Sequence, residues 1–443
     1  MNTPMIPKIK NKTKKFLLWS QKYTRLDMVY IASSGFWTTA SFGINTLLSV
    51  GLTFVFANFI PKETYGLYKY IMSLSGALAF LTFSGMNTAV TQAVAHGQDG
   101  VLPYALKFQL KWNLLFMLAS SLMGGYYFMH ENHILGMSLL ILGFTFPFIS
   151  AFNTYGAFLI GKKDFKRSSL WGVLASAIYN ITMIGAVIYL KDIVWLVLVY
   201  SLANLLPQIY FYFKTVRIYK PVSRDSKEEK SLLKYGAHLS FMNIFSNLSQ
   251  YVDKIVVFHF LGTIQLAIYG LALAVPERIR GYTKTYGSII LPKLSDKTVG
   301  DIRKVFYKRS FQGVLVGALI SLAYIVIAPF VFKIFLPKYL ESIRYSQIIS
   351  LSFIFAVPGS YMGSAFHSQK MLKTIYFSSL TAHTSRIILF ILFGYLWGIW
   401  GVIYASLLVY MLGFFFNFLL WELEVRKYIK ANLTDKRSLE KTL

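Results

Sequence analysis

Pro276-Glu277-Arg278-Ile279-Arg280-Gly281-Tyr282-Thr283-Lys284-Thr285-Tyr286-Gly287-Ser288-Ile289-Ile290-Leu291-Pro292 places four ionised side chains where a membrane-spanning helix is required. The apolar run before it, Ile264 to Val275, is about a dozen residues, whereas a crossing takes roughly 20 at about 1.5 Å of rise each. The helix reaches the far side only by continuing through the charged stretch to Ser288-Ile289-Ile290-Leu291. A central Arg or Lys costs about 2.5–3.5 kcal/mol in lipid. Arg278, Arg280 and Lys284 against the single carboxylate of Glu277 therefore predict a polar cavity that receives an anionic cargo. The competing reading is an internal ion-pair lattice around Glu277.

The chain of 443 residues has a mean hydropathy of +0.51 and only 14% charged residues. Apolar stretches recur every 25–35 residues or so, the pattern of an all-α polytopic membrane protein. Residues 1–25 are polar and basic, and the first apolar stretch, Ile31 to Ile60, is too long for the core of a cleavable signal. With no cysteine, disulfides and thiolate metal sites are excluded. His130 and His133 flank Glu131 without further ligands, so neither a metal nor another cofactor is expected.

The hydropathy pattern predicts about 12 spans, at roughly 33–59, 66–92, 108–129, 134–160, 168–190, 193–213, 237–260, 264–291, 311–335, 345–367, 374–396 and 398–421. Basic residues sort to one side of this layout. Lys8 to Arg25 lie before the first span, and the even-numbered loops carry Lys107 and Lys111, Lys162 to Arg167, Lys214 to Lys234, Lys293 to Arg309, and Lys370 with Lys373. The tail adds Arg426 to Lys441, while the opposite face receives Lys62, Lys69, Lys191, Lys338 and Arg344. This bias predicts both termini cytoplasmic. The net charge of +27 is then a topology signal with contacts to membrane lipids, and nucleic acid is not expected as a partner.

The longest polar segment between spans, Arg217 to Lys230, has six expected spans on each side. Even numbers per half give two bundles entering the membrane in the same direction, as in parallel-repeat transporters. The expected division is a basic segment 1–32, a six-helix bundle 33–216, a linker 217–236, a second bundle 237–421 and a basic tail 422–443. A shift of 201 positions lays Phe59-Ile60-Pro61 on Phe260-Leu261-Gly262 and Tyr68 on Tyr269. It also superposes Asn45, Ser49 and Thr53 on Ser246, Gln250 and Lys254.

Polar stripes recur at helical spacing. Thr38, Ser41, Asn45, Ser49 and Thr53 share one face of the first span. Asn243, Ser246, Asn247, Gln250, Asp253 and Lys254 share one in the seventh, and Glu277, Arg280, Lys284 and Ser288 one in the eighth. Small polar residues also serve as interhelical contacts; ionised ones favour a solvated cavity. In the eleventh span Arg386 stands one turn from His383, as a second cationic spot or as a snorkelling residue.

Ile60-Pro61-Lys62-Glu63-Thr64-Tyr65-Gly66-Leu67-Tyr68 resembles the L-G-P-x-x-Y-G-x-Y turn of the polysaccharide transporters, the Wzx-type oligosaccharide flippases of the multidrug/oligosaccharidyl-lipid/polysaccharide (MOP) exporter superfamily. Asp253 followed by Phe260-Leu261-Gly262 and Ala267-Ile268-Tyr269-Gly270 resembles the same family, as does Ile290-Leu291-Pro292-Lys293-Leu294-Ser295. The resemblance implies two six-helix bundles in a V that alternate between inward- and outward-open states. Their implied cargo is a polyprenyl-pyrophosphate-linked oligosaccharide bound for cell-surface polysaccharide, with a proton or sodium gradient as drive and polymerase machinery as downstream partner.

The residue chemistry fits that cargo. Arg278, Arg280, Lys284, Arg386 and Lys254 offer cations to phosphate oxygens, and Gln250, Asn247 and Asn45 offer amides to sugar hydroxyls. Asp253 and Glu277 are the two carboxylates within spans and the candidates for ion coupling; Asp253 is equally read as the neutralising partner of Lys254. The nearest rival is a cation-coupled multidrug exporter of the same superfamily. Against it, every acid before the midpoint (Asp27, Glu63, Asp99, Glu131, Asp164 and Asp192) falls in a tail or loop. A membrane glycosyltransferase or polymerase is the further alternative, but no nucleophile, metal-ligand spacing or phosphate-binding glycine loop appears, so no enzymatic activity is expected.

Overall fold

A computed structural model describes residues 28–222 and 226–442, with side chains at 28–34, 226–230, 284–286, 288, 289, 292, 293 and 431–442 excluded. The basic tail Lys8 to Arg25, the side chain of Lys284 and those of Lys436, Arg437 and Lys441 therefore lie outside the described residues. The described secondary structure is helical throughout, without strands. Among these residues eight helical runs are long and apolar enough to cross a membrane, including Ser231–Thr283 and Leu372–Lys430. Those two hold 53 and 59 residues, and each is far longer than one crossing requires. About 12 crossings are compatible with this.

By packing, the chain forms two compact units, Met1–Phe59 with Leu78–Ile244, and Ile60–Ala77 with Phe245–Leu443. In the first unit, α1 (Met28–Phe59), α3 (Met86–Ala95), α4 (Val101–Trp112), α5 (Leu114–Met129), α6 (His133–Phe152), α7 (Thr154–Gly161), α8 (Phe165–Tyr189) and α9 (Ile193–Tyr219) follow in order. Polar side chains start several of them. Asn132 accepts from the Leu135 amide at 3.1 Å, Asp164 from Arg167 at 3.1 Å, and Asp192 from Val194 at 2.9 Å. Each satisfies a helix-terminal N–H that has no partner within the helix. The core of this unit holds Phe83, Met86, Val90, Leu102 and Phe158, with Trp171 stacked on Phe211 at 5.1 Å.

The second unit contains α2 (Lys62–Leu78), α11 (Val252–Ser295), α12 (Val299–Phe335), α13 (Ser342–Ser350), α14 (Phe353–Ser368) and α15 (Leu372–Thr442). The remaining helix, α10 (Ser226–Ser249), runs from one unit into the other. Phe306 stacks on Trp421 at 4.4 Å in a core with Ile302, Met362 and Phe366. Helix α2 groups with this unit although it precedes most of the first in sequence. It packs there closely: a Cβ on Gly66 would stand 1.8 Å from the Thr263 carbonyl oxygen, and Tyr70 stacks on Phe258 at 3.5 Å.

Several expected spans are corrected. The second, 66–92, is not continuous, since α2 ends at Leu78 and a 3-10 turn, Ala79–Leu81, leads to an extended Thr82 before α3. The seventh, 237–260, is interrupted at Gln250-Tyr251 between α10 and α11. The polar stripe from Asn243 to Lys254 is thus divided between two helices, because strict helical spacing cannot register a break of two residues. The ninth begins at Val299 rather than near 311, its polar first turns capped by Thr298.

Other expectations agree with the structure. The eighth span continues through Pro276 and the charged stretch to Ser295 without a break. Both long merged runs are broken by glycine, α11 at Gly262 (φ 83°) and α15 at Gly398 (φ 58°). The shift of 201 positions that lays Pro61 on Gly262 therefore pairs the gap between α1 and α2 with the break in α11.

Candidate functional site

Two cations of the second unit, Lys254 and Arg386, meet at Asp253. This residue sits in the first turn of α11, is only 1% exposed, and accepts a hydrogen bond at Oδ2 from the Tyr269 hydroxyl at 2.9 Å. The same oxygen faces Lys254 Nζ at 3.7 Å and Arg386 Nη2 at 3.6 Å. Lys254 reaches further, to Glu277 Oε1 at 3.4 Å, and so bridges both carboxylates of the unit's spans. Asp253 is buried, whereas Glu277 keeps 44% of its side chain exposed.

Helix breaks and packing assemble this cluster. Past Gly262, α11 carries Tyr269 and Glu277 back to Asp253 and Lys254, and α15 supplies Arg386. The guanidinium of Arg280 lies over the Tyr410 ring at 4.9 Å, and that of Arg386 over Phe390 at 5.4 Å. Stacking on an aromatic face holds a guanidinium in plane and leaves its edge donors directed elsewhere. Next to Arg386 on α15, His383 Nδ1 meets the Ser249 hydroxyl at 2.7 Å.

Cations exceed carboxylates here. Glu277 experiences the charges of Lys254, Arg280, Arg386 and Lys69, and Lys69 also that of Arg278. A buried carboxylate shared by two cations is stable only when its lone pairs are met, yet Asp253 Oδ1 and Arg386 Nε are both buried without a hydrogen-bond partner among the described residues. Unmatched polar atoms of this kind in a native site call for a ligand, proton, ion or water.

Of the residues singled out by sequence, the structure brings together Asp253, Lys254, Glu277, Arg280 and Arg386, with Arg278 exposed beside them. Gln250 does not join; it is exposed and donates back to the Ser246 carbonyl at 3.1 Å. Asn247 is half-buried on α10, and Asn45 lies in the first unit. Sequence reasoning missed Tyr269, Tyr410 and Lys69. Tyr269 lies within the Ala267–Gly270 motif, so a signal existed. The position of Lys69 in the span pattern points to the outer face, and nothing local in the sequence indicates that α2 packs on α11.

The helical, multi-pass architecture is shared with several solved membrane proteins. An inward-facing multidrug-resistance MATE-family transporter of the MOP superfamily matches with a TM-score of 0.67 at 14% identity, over 87% of this chain and 96% of that one. The lipid II flippase MurJ in an inward closed conformation matches with a TM-score of 0.66 at 18% identity, over 90% of each chain. A MOP-superfamily transporter from Pyrococcus furiosus, described by the reverse polarity of its binding pocket, matches at 0.58 and 14% identity, over 89% of this chain and 96% of that one. No curated protein matches by sequence. The family model described as polysaccharide biosynthesis protein covers residues 31–298, more than half of the chain. The protein belongs to this family.

Proposed function

We propose that the protein is a flippase that moves a polyprenyl-pyrophosphate-linked oligosaccharide across the cytoplasmic membrane for cell-surface polysaccharide synthesis. The observation that carries this reading is the surplus of cations over carboxylates around Glu277 and Lys254. A pyrophosphate brings about two negative charges and acceptor oxygens that match guanidinium donors. Arg278, Arg280 and Lys284 are its proposed contacts, with Lys254 and Arg386 behind them. Asn247 is proposed for sugar hydroxyls.

In this reading the six-helix bundles 33–216 and 237–421 alternate access, both termini are cytoplasmic, and a polymerase uses the delivered glycan. Asp253 and Glu277 are proposed to couple transport to a proton or sodium gradient, and the protein moves its cargo without chemical change. The test is flipping by the purified full chain in liposomes. A fluorescent polyprenyl-pyrophosphate glycan should cross at a rate well above protein-free vesicles.

A cation-coupled multidrug exporter is the second reading, favoured by the buried carboxylate of Asp253 and its orphaned oxygen. Gradient-driven uptake of a lipophilic cation, with no movement of the glycan, would select it.

A further inference from the structure

Away from the charged cluster, an apolar groove of about 620 Å³ runs between α8 and α9 of the first unit and ends at a cation, Lys214. Buried Ala203, Pro207 and Phe211 line its base, while Leu174, Ile178 and Leu206 stand exposed along its rims. On α9 the lining residues recur from Val199 to Lys214 at steps of three and four, one helix face. At about 1.5 Å per residue that face is about 22 Å long, more than the roughly 15 Å of hydrocarbon in one leaflet. A slot of this shape fits an extended chain better than a compact solute.

The charged end is specific. Lys214 Nζ lies 5.4 Å from the Trp171 ring centroid, 5.2 Å from that of Tyr210 and 3.4 Å from the Tyr210 hydroxyl. Its hydrocarbon stem runs along the groove wall while two aromatic faces hold the ammonium. Among the described residues no carboxylate pairs with it. Asp164, which starts α8 at this end, is engaged by Arg167 at 3.0 Å and by the Tyr219 hydroxyl at 2.7 Å. Arg217 follows one turn later on α9 and is exposed. The groove therefore presents apolar walls that lead to cations with open donors.

We propose that this groove is a binding site for an anionic phospholipid, with one acyl chain between α8 and α9 and the phosphate on Lys214. Charge complementarity selects the occupant: a basic residue at the membrane surface attracts anionic lipid with about 1 kcal/mol, roughly a fivefold preference over a zwitterionic one. The site does not depend on what the protein transports.

Trp171 lines the groove, so occupancy can be read by its fluorescence. The full chain in phosphatidylcholine nanodiscs is given either phosphatidylglycerol or phosphatidylcholine with brominated acyl chains. Brominated phosphatidylglycerol should quench at roughly fivefold lower mole fraction. That component should vanish in Trp171→Phe, and Lys214→Gln should erase the preference while the protein stays folded. Ala203→Phe, which fills the groove, should remove quenching by both lipids. Equal quenching by the two lipids in the unmodified protein, or an unchanged preference in Lys214→Gln, overturns the proposal.

Discussion

The Tyr269 hydroxyl donates a 2.9 Å hydrogen bond to Asp253 Oδ2 across sixteen residues of the same α11 element. On a straight helix sixteen residues span about 24 Å. The contact exists because Gly262, at φ 83° and ψ −175°, breaks the helix between them.

That backbone conformation is open almost exclusively to glycine and costs other residues of order 1–3 kcal/mol. Gly262→Ala meets no atom within 4 Å, so its effect is conformational rather than steric. The substitution should lower stability by about 1–3 kcal/mol, read as a reduced melting temperature in detergent. An unchanged melting temperature would show that the break is not needed to bring the two arms of α11 together.

Tyr269→Phe removes the hydrogen bond from the Tyr269 hydroxyl to the Asp253 carboxylate and leaves a buried charge less satisfied. A loss of about 1.5–3 kcal/mol is expected for a bond to a charged group. Chemical denaturation followed by circular dichroism should show the midpoint falling. Tyr269→Phe in an Asp253→Asn background should cost much less, because the two changes share one interaction.

If Asp253 couples transport to an ion gradient, Asp253→Asn should retain head-group binding and lose the dependence of flipping on a proton or sodium gradient. Unaltered gradient dependence in folded protein would reduce Asp253 to a counter-charge for Lys254 and Arg386.

Arg280→Gln should weaken binding of a pyrophosphate-linked glycan by about one to two orders of magnitude, the loss of one charge-assisted contact. Arg280→Lys should be milder yet measurable, since the planar donor fork over Tyr410 is lost. Lys69→Gln should also weaken binding, by severalfold, if α2 contributes its charge to the same site. Isothermal titration in nanodiscs distinguishes these cases, and wild-type affinity in both Arg280→Gln and Lys69→Gln would remove the anion-binding role.

The absence of native cysteine makes the membrane orientation directly testable. Cysteines at the exposed positions Glu63 and Val222 should react from opposite sides of intact cells, Glu63 from outside and Val222 only after permeabilisation. Reaction of both from outside would overturn the cytoplasmic assignment of the termini.

Local pattern made much of this architecture legible. Long apolar runs can satisfy their backbone in lipid only as helices, which marks the spans. The short run before Glu277 requires the charged stretch to continue the same helix, and the structure carries α11 through to Ser295. The echo between Pro61 and Gly262 marked where helices end. The turn at Gln250-Tyr251, which divides the polar stripe from Asn243 to Lys254 between α10 and α11, leaves no mark in the polar periodicity.

Composition and helical spacing were sufficient to place cations within an expected span, since the helix can complete a crossing only by passing through them. Which groups meet was decided by packing alone. Arg386 reaches Asp253 from 133 positions away, and Lys69 enters the same field because the small Gly66 lets α2 approach the Thr263 backbone. Neither is written in a local repeat, because side-chain pairing across helices depends on where the chain bends and how closely its helices pack.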